Sequence, residues 1–371
     1  MGVRVGLVGL PNVGKTTLFN ALSHAGAAVA NFPFSTIEPN VAVVPVPDRR
    51  LARLAQLAGS ARAAPTTIHF VDIAGLVAGA SHGEGLGNQF LAHIREVDAI
   101  CHVVRCFEDP DVAHVSGRVD PAEDIGVVAT ELVLRDLETV EKRLERTTRA
   151  ARGDPSLRDD LELLERLRDH LAAGAPARTF PSAADDDEAL AGLFLLTAKP
   201  VLYLANVAEE DLPRGGPHAE AVRKLAEHEG AGLGGAGRTE VLVGCAQLEA
   251  ELLELGDEER AEYLASVGLE RSGLDRLVEA AHRLLNLVVF FSANPNEARA
   301  WTVPAGTRAQ RAAGEIHSDL ERGFVRAEVI PFEDYDRLGS EVAVREAGRL
   351  RIEGRDYKVA DGDVLHIRFN V

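Results

Sequence analysis

Gly9-Leu-Pro-Asn-Val-Gly-Lys-Thr16 has the residue types and spacing, G-x-x-x-x-G-K-[ST], that hold a polyphosphate. Gly9 and Gly14 let the backbone wrap close to phosphate oxygens with its N–H groups turned inward. Lys15 is expected to reach the β- and γ-phosphates, and the Thr16 hydroxyl to ligate Mg2+. The loop sits where the pattern requires it, after the strand-like run "VRVGLV" and before the apolar-periodic helix "TLFNALSHAG". That helix would add its positive N-terminal end to the cradle.

A second carboxylate follows at the right distance. "TTIHFV", residues 66–71, reads as a β-branched strand, and Asp72-Ile-Ala-Gly75 leaves its end. Asp72 is expected to hold Mg2+ through a water, and the Gly75 N–H to sense the γ-phosphate. Between the motifs, "NFPFSTIEPN" reads as an ordered loop, with Thr36 as the second magnesium ligand. Leu76 stands where many GTPases carry the water-orienting Gln, so a slow intrinsic rate is expected. His82, in the Gly-rich loop that follows, is a weak candidate base. In potassium-dependent members of this broad class an Asn at the place of Asn12 helps hold K+, which makes Asn12 a candidate ligand.

The base end is altered. "VLYLANVAEED" reads as a buried strand releasing Asn206, where a guanine-selective site would continue Asn-Lys-x-Asp. Here Val207 replaces the Lys and Glu209 replaces the Asp. A fixed Asp accepts from the N1–H and the exocyclic amine of guanine, whereas adenine offers a lone pair at N1. The longer Glu209 can turn aside, so adenine-favouring or relaxed selectivity is expected. The strand "TEVLVG", running into Cys245-Ala246-Gln247, is similar to the S-A-K segment that closes over a base.

Composition bounds the rest. The chain has 371 residues, a formal charge of -18 and 46% hydrophobic residues, as expected of a two- or three-domain globular protein. An acidic chain repels phosphate backbones on average, so any nucleic-acid contact needs a local basic face. Three cysteines in no metal-binding pattern suggest buried thiols. With no signal peptide and no spanning apolar run, a cytoplasmic protein without membrane contact is expected.

Two leucine-rich stripes, at Val128–Leu144 and Leu157–Leu171, are separated by "RGDPS" and read as an antiparallel helical hairpin. Arg143, Arg146, Arg149 and Arg152 would form its basic edge, and residues 172–188 look like a linker. From about residue 288 alternating strands flank one amphipathic helix, 307–322, as in a small β-grasp module. Arg299, Arg308, Arg311 and Arg326 are its candidate RNA contacts.

"GLPNVGKTTLFNAL", "NFPFSTIEPN", "DIAGLVAGASHGEGLGNQFL", "LTAKPVLYLANV" and "RAWTVPAGTRAQRAAGEIHSDLERGFVRAEVI" together resemble the YchF/Obg-like ATPase family of P-loop NTPases, nearly end to end. The resemblance implies an ATPase that prefers ATP to GTP, with a cradle from Asn12 through Val13, Gly14, Lys15 and Thr16 to Thr17. It implies magnesium on Thr16 and Thr36, and Asn206 and Val207 beside the adenine. It also implies ribosome association in translation or stress regulation, with rRNA or tRNA contacts through the hairpin and the module the family calls TGS. Ser35, His82 and the Gly-rich stretch 229–239 depart from the family pattern. The expected fold is α/β. A P-loop G domain comprises residues 1–127 and 186–287, a hairpin with linker is inserted at 128–185, and a β-grasp domain spans 288–371. A monomer is expected. An Obg-class GTPase, or a nucleotide-gated binding module with incidental hydrolysis, are the alternatives.

Overall fold

The computed structural model describes residues 2–27, 40–73, 94–183, 186–231 and 239–370. Thr36, Gly75, Leu76, His82 and Ser35 lie outside the described residues. The chain divides into two compact units, Val3–Val43 with His69–Leu284, and Val44–Ile68 with Leu285–Val371.

The first sheet has the order β2-β4-β1-β5-β6-β7, with β1 Val3–Val8, β2 Val41–Pro45, β4 Thr67–Asp72, β5 Ala99–Arg105, β6 Val201–Asn206 and β7 Glu240–Gly244. β1, β5, β6 and β7 pair in parallel. Every residue of β5 and β6 is buried, which is why "AICHVVR" and "VLYLAN" run apolar without alternation. Helix α1, Lys15–Ala27, opens directly after the phosphate loop. Parallel strands with their loops at one end gather the phosphate loop, Asp72, Asn206 and Ala246 at the carboxyl edge of the sheet.

The hairpin is α3, Pro121–Ala151, and α4, Arg158–Ala172. It starts earlier than the leucine stripe suggests, because Asp120 caps the helix by accepting from the Glu123 N–H and Pro121 fits the first turn. Val133, Val140, Leu164, Leu167 and Leu171 form its seam. The expected linker is packed rather than free: Ala177, Phe180, Leu190 and Leu193 cover that seam. The buried Asp136 carboxylate accepts from the Leu196 and Thr197 N–H groups and the Thr197 hydroxyl, tying the helix to the segment before β6.

The second sheet, order β11-β10-β12-β8-β9-β3, comprises β3 Ala63–Ala64, β8 Leu287–Ala293, β9 Ala298–Pro304, β10 Phe324–Pro331, β11 Arg351–Glu353 and β12 Asp363–Phe369. One difference from the expected domain boundaries is plain. Residues 44–68, expected within the G domain, cluster with this module. The reason is the amphipathic helix α2, Arg49–Ala58, whose Leu51 and Leu54 join Val289, Phe291 and Ile330 in one apolar cluster. Arg50 donates to Asp361 and Arg53 to Asp336, both at 2.6 Å, and β3 pairs with β9. The single helix expected at 307–322 is two, Ala309–Ile316 and Ser318–Arg322, broken where extended His317 caps the second through its ring Nδ1.

Candidate nucleotide site

The cradle is built by close approach. A Cβ on Gly9 would lie 2.4 Å from the Val103 carbonyl oxygen, so β5 admits only glycine there. Gly14 has φ +95°, and a Cβ on it would meet the Asn206 amide nitrogen at 2.3 Å. Lys15 is buried at the start of α1, and its ammonium donates to the Gly9 and Leu10 carbonyls at 2.9 and 3.0 Å. Burial lowers its pKa, and the neighbouring Asp72 carboxylate partly restores it. Asp72, half-buried at the end of β4, has its carboxyl pushed up by burial and pulled back by Lys15.

Thr16 is exposed at the mouth of the loop, and Thr17 is half-buried behind it. The half-buried Asp72 carboxylate, close enough to Lys15 to feel its charge, and the Thr16 hydroxyl next to Lys15 in the chain are oxygen donors of the kind Mg2+ takes. Thr16 and Asp72 would hold that ion, which neutralises charge on bridging phosphate oxygens when bound. Asn12, with φ +60°, donates its amide to the Ala113 carbonyl at 3.1 Å, so a potassium ion would have to use its side-chain oxygen.

The base end is assembled from separate segments. Asn206 is 4% exposed at the end of β6. Its amide nitrogen donates to the Val13 carbonyl, and its amide oxygen accepts the Ala246 N–H, both at 2.9 Å. Asn206 is thus first a clamp that binds the phosphate loop to the start of helix α7, Ala246–Leu252. One of its two amide hydrogens is therefore already spent before any base is bound. Val207 is buried, with its N–H on the Gly244 carbonyl. Cys245 is buried, and its thiol pKa is raised chiefly by desolvation. Cys101 and Cys106 are buried as well, with both thiols pushed up to about 12 by desolvation. Glu209 is half-buried, and one of its carboxylate oxygens accepts the Tyr263 hydroxyl at 2.6 Å.

Three features were not expected from the sequence: Arg105, the His114–Asp124 pair and Tyr263. Arg105, 1% exposed, donates to the Phe107, Asp109 and Val112 carbonyls and so shapes the loop that receives Asn12. The buried His114–Asp124 pair, at 3.0 Å, pins the same loop. A lone Arg ending the apolar strand "AICHVVR" was a visible signal for the first. Tyr263 had none, because its partner lies 54 residues away.

The expected basic residues divide. Among them, Arg149 pairs with Glu145, and Arg143, Arg146 and Arg152 are exposed on the hairpin. In the second unit Arg308 pairs with Asp356 and Arg311 with Glu321, Arg299 lies over the Trp301 ring, and Arg326 lies 4.0 Å from Glu328. No helix among the described residues is long and apolar enough to cross a membrane.

The chain is similar to known proteins over its whole length. The family described as "50S ribosome-binding GTPase" matches residues 4–142, and the one described as "YchF-GTPase_C: Protein of unknown function" matches residues 287–370. A protein of Haemophilus ducreyi named "Ribosome-binding ATPase YchF" is 50% identical over the full length of both chains. One of Bacillus subtilis with the same name is 48% identical, again covering all of both. The solved structure titled "Structure of the Schizosaccharomyces pombe YchF GTPase" superposes with a TM-score of 0.88 at 34% identity, covering 99% of this chain and 98% of that one. With a P-loop domain, a C-terminal module of the matching kind and relatives alike from end to end, the chain belongs to the YchF family.

Proposed function

We propose that the chain is an ATP-hydrolysing switch that prefers ATP to GTP and docks on ribosomes according to its nucleotide state. The observation that carries the base preference is Glu209, whose carboxylate is bonded to Tyr263 and has no neighbouring Lys stem at Val207. The names of the curated relatives, ribosome-binding ATPases, support both the reaction and the partner. The words GTPase in the family descriptions and in the fission-yeast title keep the Obg-class reading as the alternative.

In this reading Lys15 exchanges its loop carbonyls for β- and γ-phosphate oxygens, and the Gly9–Thr17 backbone holds the rest. Thr16 and Thr36 would hold Mg2+, with Asp72 reaching it through a water, and the Gly75 N–H would follow the γ-phosphate. Cys245 and Ala246 close over the purine. Asn12 adds K+. With no Gln at Leu76 to orient water, the intrinsic rate is slow and the docked ribosome raises it. The hairpin edge and the C-terminal module supply rRNA or tRNA contacts, on the large subunit or the whole particle, and the protein works as a cytoplasmic monomer in translation or stress regulation.

Phosphate release from ATP and from GTP, with and without ribosomes, tests the reading alongside co-sedimentation. Faster ATP turnover on ribosomes, and sedimentation that changes between ADP and a non-hydrolysable ATP analogue, are expected. Docking indifferent to nucleotide and to Asp72→Ala would leave a plain binding module.

A further inference from the structure

The bond between Tyr263 and Glu209 joins two segments 54 residues apart in the chain. Glu209 opens a short 3-10 turn, Glu209–Asp211, directly after β6. Tyr263 projects from helix α8, Asp257–Ser266, which Leu264 seats against Cys245, Leu248 and Leu252. Tyr263 itself packs against that cluster, so its ring is fixed before its hydroxyl is used. The hydroxyl donates to one Glu209 oxygen at 2.6 Å, and the same bond raises the tyrosine pKa, so the proton stays on Tyr263.

Guanine presents two adjacent donors, N1–H and the 2-amino group, and a carboxylate reads them with two oxygens side by side. Adenine presents one donor, the 6-amino group, beside an N1 lone pair. Each carboxylate oxygen can accept more than one hydrogen bond, but the bond from Tyr263 fixes the orientation of the Glu209 carboxylate, so its two oxygens are not free to turn side by side toward guanine's paired donors. An unserved polar group in a partly buried slot is penalised.

We propose that Tyr263 is a specificity-determining positioning residue, whose hydroxyl holds Glu209 aside and thereby denies guanine its two-oxygen partner. This rests on the ATP-preferring reading above and adds the group that enforces it. Tyr263 is bonded to Glu209 and acts through it.

The test is titration calorimetry on the full chain with Mg2+ and ATP, GTP or ITP, comparing wild type with Tyr263→Phe. GTP affinity is expected to rise by roughly tenfold, the order expected when a hydrogen bond to a charged group is released. ATP affinity should move by less than about twofold on the same scale of effects. ITP, which has N1–H and lacks the 2-amino group, should gain less than GTP. Glu209→Asp draws the carboxylate out of reach of Tyr263 and serves as the second variant. It should raise GTP affinity by itself, and adding Tyr263→Phe to it should change nothing further. A wild type that prefers ATP, combined with an unchanged GTP-to-ATP ratio in Tyr263→Phe, overturns this proposal and leaves the ATP reading standing. Parallel weakening of all three nucleotides assigns Tyr263 a purely structural role and also overturns it. A wild type with no preference for ATP removes the underlying reading as well.

Discussion

The two ends of the proposed nucleotide site are made differently. The phosphate end is one continuous loop, Gly9–Thr17, whose chemistry comes from backbone N–H groups, two glycines and one lysine. The base end draws Asn206 with Glu209, Ala246 and Tyr263 from three places in the chain and works through side-chain bonds. The phosphate end holds its ionisable groups in a strained balance: burial lowers the Lys15 pKa and raises that of Asp72. At the base end the Asn206 amide and one Glu209 oxygen are already paired. A reactive end keeps charge poised for a ligand that brings its own charge, and a selective end fixes which hydrogen bonds remain on offer.

Lys15→Ala should break the phosphate end alone. Hydrolysis is expected to fall by about a hundredfold or more, as when a preorganised charge-stabilising group is removed. The GTP-to-ATP affinity ratio should stay where it was, and a stopped phosphate-release assay with paired titrations checks both.

Asn206→Ala should break both ends together. It strands the buried Val13 carbonyl and Ala246 N–H, at a cost of about 2–5 kcal/mol for the two groups. Urea unfolding should show the loss, and ATP and GTP should weaken in parallel. If only one purine weakened, Asn206 would be a base reader and not a clamp.

Gly14→Ala should mimic that result from the loop side. The added Cβ would meet the Asn206 amide nitrogen at 2.3 Å in a backbone conformation that side chains avoid. A loss of about 2 kcal/mol is expected, and it should be smaller when Asn206 is already Ala.

The last effect is on pH. His102, on β5, is fully buried, and desolvation with the Lys15 and Arg178 charges lowers its pKa to about 3. The fold therefore binds fewer protons than the unfolded chain between that value and the ordinary 6.5. The stability it contributes is complete above pH 6.5 and drains as pH falls toward 3, by up to about 1.4 kcal/mol per unit. Asp72, whose pKa is raised, contributes a slope of the opposite sign. Comparing wild type with His102→Phe isolates the histidine: the variant should lose less stability between pH 7 and 5. Identical acid limbs would mean that His102 is protonated within the fold.

The phosphate end was legible because a backbone-built site must be contiguous, and contiguity leaves a motif. The parallel sheet was legible for a related reason, since strands buried on both faces read as uninterrupted apolar runs. The hairpin followed from its leucine spacing, although its start depended on the Asp120 cap, which the stripe does not reveal. Two things were not readable. Nothing in "DRRLARLAQLAG" states which apolar surface Leu51 and Leu54 will cover, so a helix between two G-domain motifs reads as part of that domain, while its apolar face packs with the C-terminal strands. Similarly, the extra methylene of Glu209 suggested that the carboxylate turns aside, while the residue that receives it, Tyr263, lies 54 residues further along the chain. Amphipathic patterns identify a face to be buried and do not name its partner.

The central claim is that a backbone cradle grips a triphosphate with its metal while the purine slot no longer demands guanine. Calorimetric titration of the wild-type chain with ATP and then GTP, at millimolar Mg2+ and with K+ present, tests it most directly. The account predicts saturable one-site binding of both with ATP the tighter ligand. GTP bound tenfold more tightly than ATP, or no heat from ATP, would contradict it.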